Sequence, residues 1–86
     1  MAEIDILYFA WLRERAGASQ ERISPPSDVR TVGQLMAWLA ERNEALAEAF
    51  ATPGLVRAAV NQKFATRDDL VSAGDEVAFF PPVTGG

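Results

Sequence analysis

The sequence predicts an α+β fold in which a mixed β-sheet wraps around one main helix. Two strand-like segments precede the clearest helix, and two or three more follow it. Two strands ahead of one crossing helix are typical of a β-grasp roll. The 86 residues are enough for one small domain with one modest core. We therefore predict a β-grasp domain over residues 1–80 and a flexible, extended tail over residues 81–86.

The first strand is predicted at residues 3–9, where β-branched and aromatic residues partly alternate with polar ones. A helical turn closed by Gly17 is predicted at residues 10–16. A second strand at residues 21–24 is predicted to end before Pro25-Pro26, because proline donates no hydrogen bond to a sheet. In the first strand the residues predicted to face the core are Ile4, Ile6 and Tyr8. Those predicted to face outward are Asp5, Leu7 and Phe9.

The main helix is predicted at residues 32–43. Thr31 and Gln34 have the spacing of a capping box, which satisfies free N–H groups at a helix start. The apolar residues recur at helical spacing and predict one buried stripe, consisting of Val32, Leu35, Met36 and Leu39. Residues 44–50 predict a short second helix.

The C-terminal half predicts a strand at residues 55–60, a turn at Asn61-Gln62, a short returning strand at residues 63–65 and a last strand at residues 76–80. The β-grasp arrangement places the first and last strands side by side. Outward-facing residues of these strands then predict one apolar patch, consisting of Leu7, Phe9 and Phe80, with Phe64 beside them. Exposed apolar patches usually mark partner-binding sites, so we predict that role here; the alternative is that a loop covers them.

The composition excludes several classes of function. The chain has no Cys and no His, which removes thiol nucleophiles, disulfides, His-assisted acid–base chemistry and nearly all zinc sites. A net charge of -4 is the wrong sign for a nucleic-acid-binding protein. We interpret Asp68-Asp69 and Asp75-Glu76 as solvated turn residues rather than metal ligands. No apolar run approaches the ~20 residues of a membrane span. We therefore expect a soluble cytoplasmic protein without bound metal, cofactor, nucleic acid or membrane.

The last two residues, Gly85 and Gly86, predict where the chemistry of the chain lies. A terminal glycine has no side chain to bury, but it presents a thin carboxylate that can enter a narrow opening in another protein. Pro81 and Pro82 restrict φ and favour an extended course for the tail. The six residues from Pro81 to Gly86 can span at most about 20 Å, enough to reach into a neighbouring active site. The Gly86 carboxylate is the predicted reactive group.

Specific segments resemble the small subunit of molybdopterin synthase, a ubiquitin-like β-grasp family. The resemblance is carried by AAVNQ at residues 58–62 and by GDEVAFFPPVTGG at residues 74–86. Phe9-Ala10, followed by Arg13-Glu14 and Gly17, is also similar to that family. The likeness extends over the whole chain and is strongest at its end.

The resemblance implies a sulfur carrier. A separate ubiquitin-activating-like adenylyltransferase would adenylate the Gly86 carboxylate with ATP, and a sulfur donor protein would then convert it to a thiocarboxylate. The tail would enter the large catalytic subunit of a heterotetramer and give its sulfur to cyclic pyranopterin monophosphate, which builds the dithiolene of the molybdenum cofactor. The tail residues implied to enter that subunit are Pro81, Pro82, Val83 and Thr84, followed by Gly85 and Gly86.

Elementary chemistry agrees with this scheme. A terminal carboxylate has a pKa of about 3.3–3.7 and is a poor electrophile at neutral pH, so exchange of oxygen for sulfur requires prior activation. The chain has no phosphate-binding loop motif, so ATP must bind to the activating enzyme. Three alternatives remain: a carrier for another pathway such as thiamine synthesis, a ubiquitin-like protein modifier joined through Gly86, and a plain β-grasp interaction module.

Overall fold

The structure is a computed structural model that describes residues 3–52 and 54–82. The elements of the described chain are β1 (Ile4–Tyr8), α1 (Leu12–Ala16), β2 (Gln20–Ile23), α2 (Val32–Arg42), α3 (Glu44–Ala51), β3 (Arg57–Val60), β4 (Lys63–Ala65) and β5 (Glu76–Phe80). The five strands form one sheet in the order β2-β1-β5-β3-β4.

The centre of the sheet is the parallel pair β1 and β5. The pairs β1–β2, β3–β4 and β3–β5 are antiparallel. A parallel pair needs a crossover connection, and the chain between β1 and β5 supplies it through helices that pack on one face of the sheet. The mixed sheet around a main helix, with the first and last strands adjacent, confirms the fold predicted from the sequence.

The capping box predicted for α2 is present. Thr31 Oγ1 accepts a hydrogen bond from the Gln34 backbone N–H at 3.1 Å, and Gln34 Oε1 accepts one from the Thr31 N–H at 3.1 Å. The predicted apolar stripe of α2 is buried. The helix ends at Arg42, one residue earlier than predicted, because Asn43 is extended and caps α3 by accepting from the Leu46 N–H at 3.1 Å.

The core lies between the inner face of the sheet and the helices. The residues that β1 and β5 turn toward it are at most 3% exposed: Ile4, Ile6 and Tyr8, as predicted, together with Val77 and Phe79. The Phe79 ring packs between those of Tyr8 and Phe50, at centroid distances of 6.3 and 5.2 Å. This aromatic contact joins α3 to the two central strands.

Several element boundaries differ from the prediction by one or two residues. The largest difference in a strand is at β3, which begins at Arg57 rather than residue 55, since the Leu55 N–H bonds to the Thr52 carbonyl in a turn. The strand β2 is shifted by one residue, to Gln20–Ile23. The strand β5 has the predicted bounds, so Glu76 lies in the strand and its interpretation as a turn residue is wrong.

Tyr8, the only tyrosine of the chain, gives the fold a predictable response to alkaline pH. Its hydroxyl donates to Glu21 Oε2 at 2.6 Å. Burial, followed by this hydrogen bond, raises the pKa of Tyr8 above its ordinary value. Above about pH 10 the unfolded chain therefore releases the phenol proton while the folded chain retains it, and stability falls as the pH rises.

We expect Tyr8→Phe to remove this part of the pH dependence. The variant should lose about 1 kcal/mol of unfolding free energy at neutral pH, because it lacks the hydrogen bond. The difference from the wild-type chain should narrow above about pH 10. Urea unfolding across this pH range measures both effects. A difference in unfolding free energy that stays constant with pH would contradict the expectation. So would phenolate absorbance of the folded chain that titrates near the ordinary pKa of tyrosine.

Candidate functional site

A row of apolar residues crosses the outer face of the sheet, opposite the helices. Strand register places Leu7 beside Ala78, Ala78 beside Ala59, and Ala59 beside Phe64. The two alanines in the middle are small, so the surface is low between Leu7 and Phe64. Side-chain size along one row therefore shapes a trough across four strands.

This trough, which we call the outer groove, has a volume of about 580 Å³. Its lining residues are Leu7, Phe9, Ala59, Gln62, Phe64, Glu76, Ala78, Phe80 and Pro81. Phe64 is 83% exposed and Phe9 is 46% exposed, and the Phe64 and Phe80 rings lie 5.9 Å apart between centroids. Large exposed apolar side chains around one concave surface are typical of a site that another molecule covers.

The structure brings all four residues of the predicted patch to this groove. Leu7, Phe9, Phe64 and Phe80 face outward, and within the described chain no loop covers Phe9 or Phe64. Their role in binding a partner stays a prediction. The sequence reasoning missed Gln62 and the contribution of Glu76. It also did not identify the floor of the groove, formed by Ala59 and Ala78 and here called the alanine floor, for which small residues at outward positions are the signal.

The end of β1 is held in place by an unusual backbone conformation. Ala10 has φ 56°, in the left-handed region that L-residues other than glycine rarely adopt. This conformation turns the chain away from the sheet immediately after Phe9, whose N–H still bonds to the Phe79 carbonyl at 3.0 Å. Phe9 therefore stays beside β5 while the chain leaves toward α1. Left-handed Ala costs roughly 1–2 kcal/mol, which the surrounding contacts offset.

The β3–β4 hairpin positions Phe64 and Gln62 at the groove. Asn61 and Gln62 both have positive φ, 51° and 71°, as a tight two-residue hairpin turn requires. The Asn61 side chain accepts from the Glu76 N–H at 3.0 Å and donates to Asp75 Oδ1 at 3.0 Å. These bonds attach the hairpin to the beginning of β5. The interpretation of Asp75 as a solvated turn residue is therefore incomplete, because its carboxylate accepts a hydrogen bond from Asn61.

The tail begins at the groove. The strand β5 ends at Phe80, Pro81 lines the groove, and Pro82 follows. The predicted site residues Val83, Thr84, Gly85 and Gly86 lie outside the described residues, so their roles stay predictions. Whatever covers the groove therefore meets the first residue of the tail.

A row of charged residues borders the groove on one side. Asp5 and Glu76 are direct neighbours across the central parallel pair, and Arg22 Nε donates to Asp5 Oδ1 at 2.9 Å. This contact raises the pKa of Arg22. Because the Arg22 side chain is 66% exposed, solvent screens the ion pair and its contribution to stability is small.

Two absences among the described residues bear on the expected function. The described residues hold no group of three or more His, Cys, Asp or Glu side chains placed to bind a metal ion. None of the helices in residues 3–52 and 54–82 is long and apolar enough to cross a bilayer. The expectation that the chain binds no cofactor stays a prediction.

Relatives of the chain match it over nearly its whole length. A molybdopterin synthase sulfur carrier subunit from Escherichia coli is 41% identical over 83 residues, covering 96% of this chain and 99% of that protein. The human protein of the same name is 30% identical over 89 residues, covering 100% of this chain and 97% of its own.

Solved structures show the same fold. A Pyrococcus furiosus protein described as putative molybdopterin converting factor subunit 1 has a TM-score of 0.82 and 31% identity, covering 96% of this chain and 100% of its own. The small archaeal modifier protein 1 of H. volcanii has a TM-score of 0.79 and 32% identity, with the same coverages. Residues 6–86 match the ThiS family. With this match and these full-length relatives, the chain belongs to the ThiS family of β-grasp proteins.

Proposed function

We propose that this chain is the sulfur carrier subunit of molybdopterin synthase. The observation that carries the proposal is the 41% identity to the Escherichia coli sulfur carrier subunit over nearly the full length of both chains. Relatives with the same name from Haemophilus influenzae and Mycobacterium tuberculosis are 36% and 31% identical. The outer groove at the base of the tail supports the same role, because a carrier must be held by the protein that receives its cargo.

In this function the Gly86 carboxylate is the group that carries sulfur. One carboxylate oxygen attacks the α-phosphate of ATP on the activating enzyme, which forms the acyl adenylate and releases pyrophosphate. Hydrosulfide delivered by a donor protein then displaces AMP, which breaks the acyl–phosphate bond and leaves a thiocarboxylate. The soft, anionic sulfur of this group attacks a carbon of the pterin precursor, and an oxygen substituent leaves that carbon. Water then hydrolyses the resulting thioester, which restores the carboxylate and leaves the sulfur on the pterin. With no His and no Cys, the chain leaves proton transfers to its partners.

We assign the outer groove to docking on the large catalytic subunit. A Helicobacter pylori protein with this fold has been solved as a complex of subunits 1 and 2 of its molybdopterin-converting factor, at a TM-score of 0.63 and 20% identity. The likeness at that identity concerns the fold. It supports the view that a β-grasp chain of this shape can act in a complex with a second subunit.

A second candidate function is protein modification through an isopeptide bond from Gly86 to a lysine of another protein. The 32% identity to a small archaeal modifier protein favours it. Mass spectrometry of chain isolated from its native cells separates the two functions. One sulfur-for-oxygen exchange on the intact chain supports the carrier, whereas conjugates to other proteins support the modifier.

We expect deletion of Gly86 to abolish sulfur loading without weakening the fold. The described core uses no residue beyond Phe79, so the melting temperature should stay within about 1 °C of the wild-type value. Intact-mass measurement after incubation with the activating enzyme, ATP and sulfur donor tests loading, and calorimetry tests the fold. Sulfur loading of the shortened chain would refute the assignment of Gly86.

We expect Phe64→Asp to weaken binding to the large subunit while leaving the isolated domain folded. Phe64 is almost fully exposed in the free chain, but a charge at this position would be desolvated in a covered groove, which costs several kcal/mol if it is unpaired. Leu70→Asp is the matched control, since Leu70 is 72% exposed and does not line the groove. Equal affinity of both variants and the wild-type chain would place the partner elsewhere.

We expect sulfur transfer to be stoichiometric in the carrier. The thiocarboxylated chain alone should form no dithiolene, because its composition supplies few groups that position or protonate a substrate. With the large subunit present, each carrier should deliver one sulfur, which gives about one dithiolene for every two carriers supplied. The assay follows carrier mass and product together. Product formed without the large subunit, or beyond the loaded sulfur, would show that the chain is itself an enzyme.

A further inference from the structure

Among the described residues, the charged border of the outer groove holds two carboxylates, Asp5 and Glu76, and one cation, Arg22. Glu76 and Asp5 lie directly opposite each other on adjacent strands, and like charges in that position destabilise a sheet. Arg22 pairs with Asp5 at 2.9 Å. Within residues 3–52 and 54–82, the Glu76 carboxylate makes no hydrogen bond or ion pair. The free domain therefore keeps, among the described residues, a carboxylate without a partner beside its apolar surface.

Glu76 also occupies the boundary between two concave surfaces. It lines the outer groove and a neighbouring polar cleft of about 340 Å³. The other residues of the cleft are Asp5, Leu7, Gln20, Glu21 and Arg22. A partner that fills the groove and extends over this border would bring its own polar groups to Glu76.

The backbone of Glu76 is held on both sides. Its N–H donates to Asn61 Oδ1 at 3.0 Å, and its carbonyl accepts from the Asn61 N–H at 2.7 Å. The carboxylate is thus attached to a fixed point beside the alanine floor. Little backbone entropy remains to be lost when a partner group meets it.

We propose that Glu76 determines how the large synthase subunit is oriented on the outer groove, by pairing with a Lys or Arg side chain of that subunit. The cation would lie beside an apolar side chain seated over Ala59 and Ala78. The inference rests on the proposed function and names the chemistry of the partner. An apolar trough fixes orientation weakly, whereas a charge pair at one end fixes direction and excludes acidic surfaces. Correct orientation matters because Pro81, where the tail begins, lines the same groove.

Charge complementarity favours this occupant. The chain carries a net charge of -4, and among the residues that the structure describes, Asp5 is the one carboxylate of the groove border with a cation beside it. Water leaves the groove when a partner covers it, which strengthens a new ion pair at its edge. A basic partner group would also relieve the repulsion between Glu76 and Asp5. The Glu76 carboxylate is therefore unfavourable in the free chain and becomes favourable when it pairs with such a group in the complex.

The test compares Glu76→Gln with Glu48→Gln, a matched substitution at an exposed position of α3, which packs over the opposite face of the sheet. Titration calorimetry measures the dissociation constant of each chain for the purified large subunit at low and high sodium chloride. We expect Glu76→Gln to raise the dissociation constant about tenfold at low salt and much less at high salt, because salt screens an ion pair at the interface edge. Glu48→Gln should match the wild-type chain at both.

A second measurement separates binding from folding. The melting temperature of the free Glu76→Gln chain should equal or exceed that of the wild-type chain, since the substitution removes a like-charge contact. Unchanged affinity, a loss of affinity that salt does not alter, or a loss seen only with the activating enzyme would each overturn the inference. A lower melting temperature with a salt-independent loss would show a structural role instead. If the wild-type chain neither binds the large subunit nor transfers sulfur, the proposed function itself fails.

Discussion

The parallel pairing of β1 with β5 is the interaction on which the rest of the structure depends. It joins residues more than seventy positions apart, such as Leu7 and Ala78, so the intervening chain must cross the sheet to bring them together. Because it lies at the centre of the strand order, β2 attaches to one side of it and the β3–β4 hairpin to the other. The core and the groove are the two faces of this pair.

Side chains alternate between the two faces of β1 and β5, so the core residues and the groove residues lie on opposite faces of the same strands. The inward residues of β1 and β5 are buried against the helices, and Phe79 packs with Tyr8 and Phe50. The outward residues include Leu7 and Phe80 at the groove and Glu76 at its border. A shift of one residue in either strand would exchange these roles. We therefore expect substitutions on the outer face to have little effect on the core.

The proposed chemistry follows from how little reactive chemistry the side chains offer. A chain without Cys and His can still contribute a terminal carboxylate, which becomes reactive only after activation by another protein. Its own proposed contribution is then geometric: a firm platform, a groove proposed to bind the acceptor, and a tail that begins at that groove. In this proposal the charged border adds direction to a contact that apolar burial alone leaves poorly oriented. The function thus belongs to the complex as much as to the chain.

Local pattern was enough to predict most of this fold. Alternation identified the inward and outward residues of β1 and β5, and the spacing of Thr31 and Gln34 predicted how α2 begins. Leu7, Phe9 and Phe80 were placed correctly because parity within a strand needs no knowledge of its neighbours, whereas Phe64 was placed beside them without a parity argument. The reactive Gly86 was inferred from residue type and position, and its role stays a prediction.

Other features were decided by tertiary structure. Asn43 ends one helix and begins the next, although the sequence pattern placed it inside the helix. The left-handed Ala10 turns the chain after Phe9, and alanine as a residue type does not predict that conformation. The alanine floor and the placement of Glu76 beside Asp5 arise from register between strands distant in sequence. The sequence by itself determined which residues are apolar, which alternate and which begin a helix, since these depend on near neighbours. Only the folded sheet decided which side chains lie opposite one another, because strand pairing is set by the packing of the whole chain.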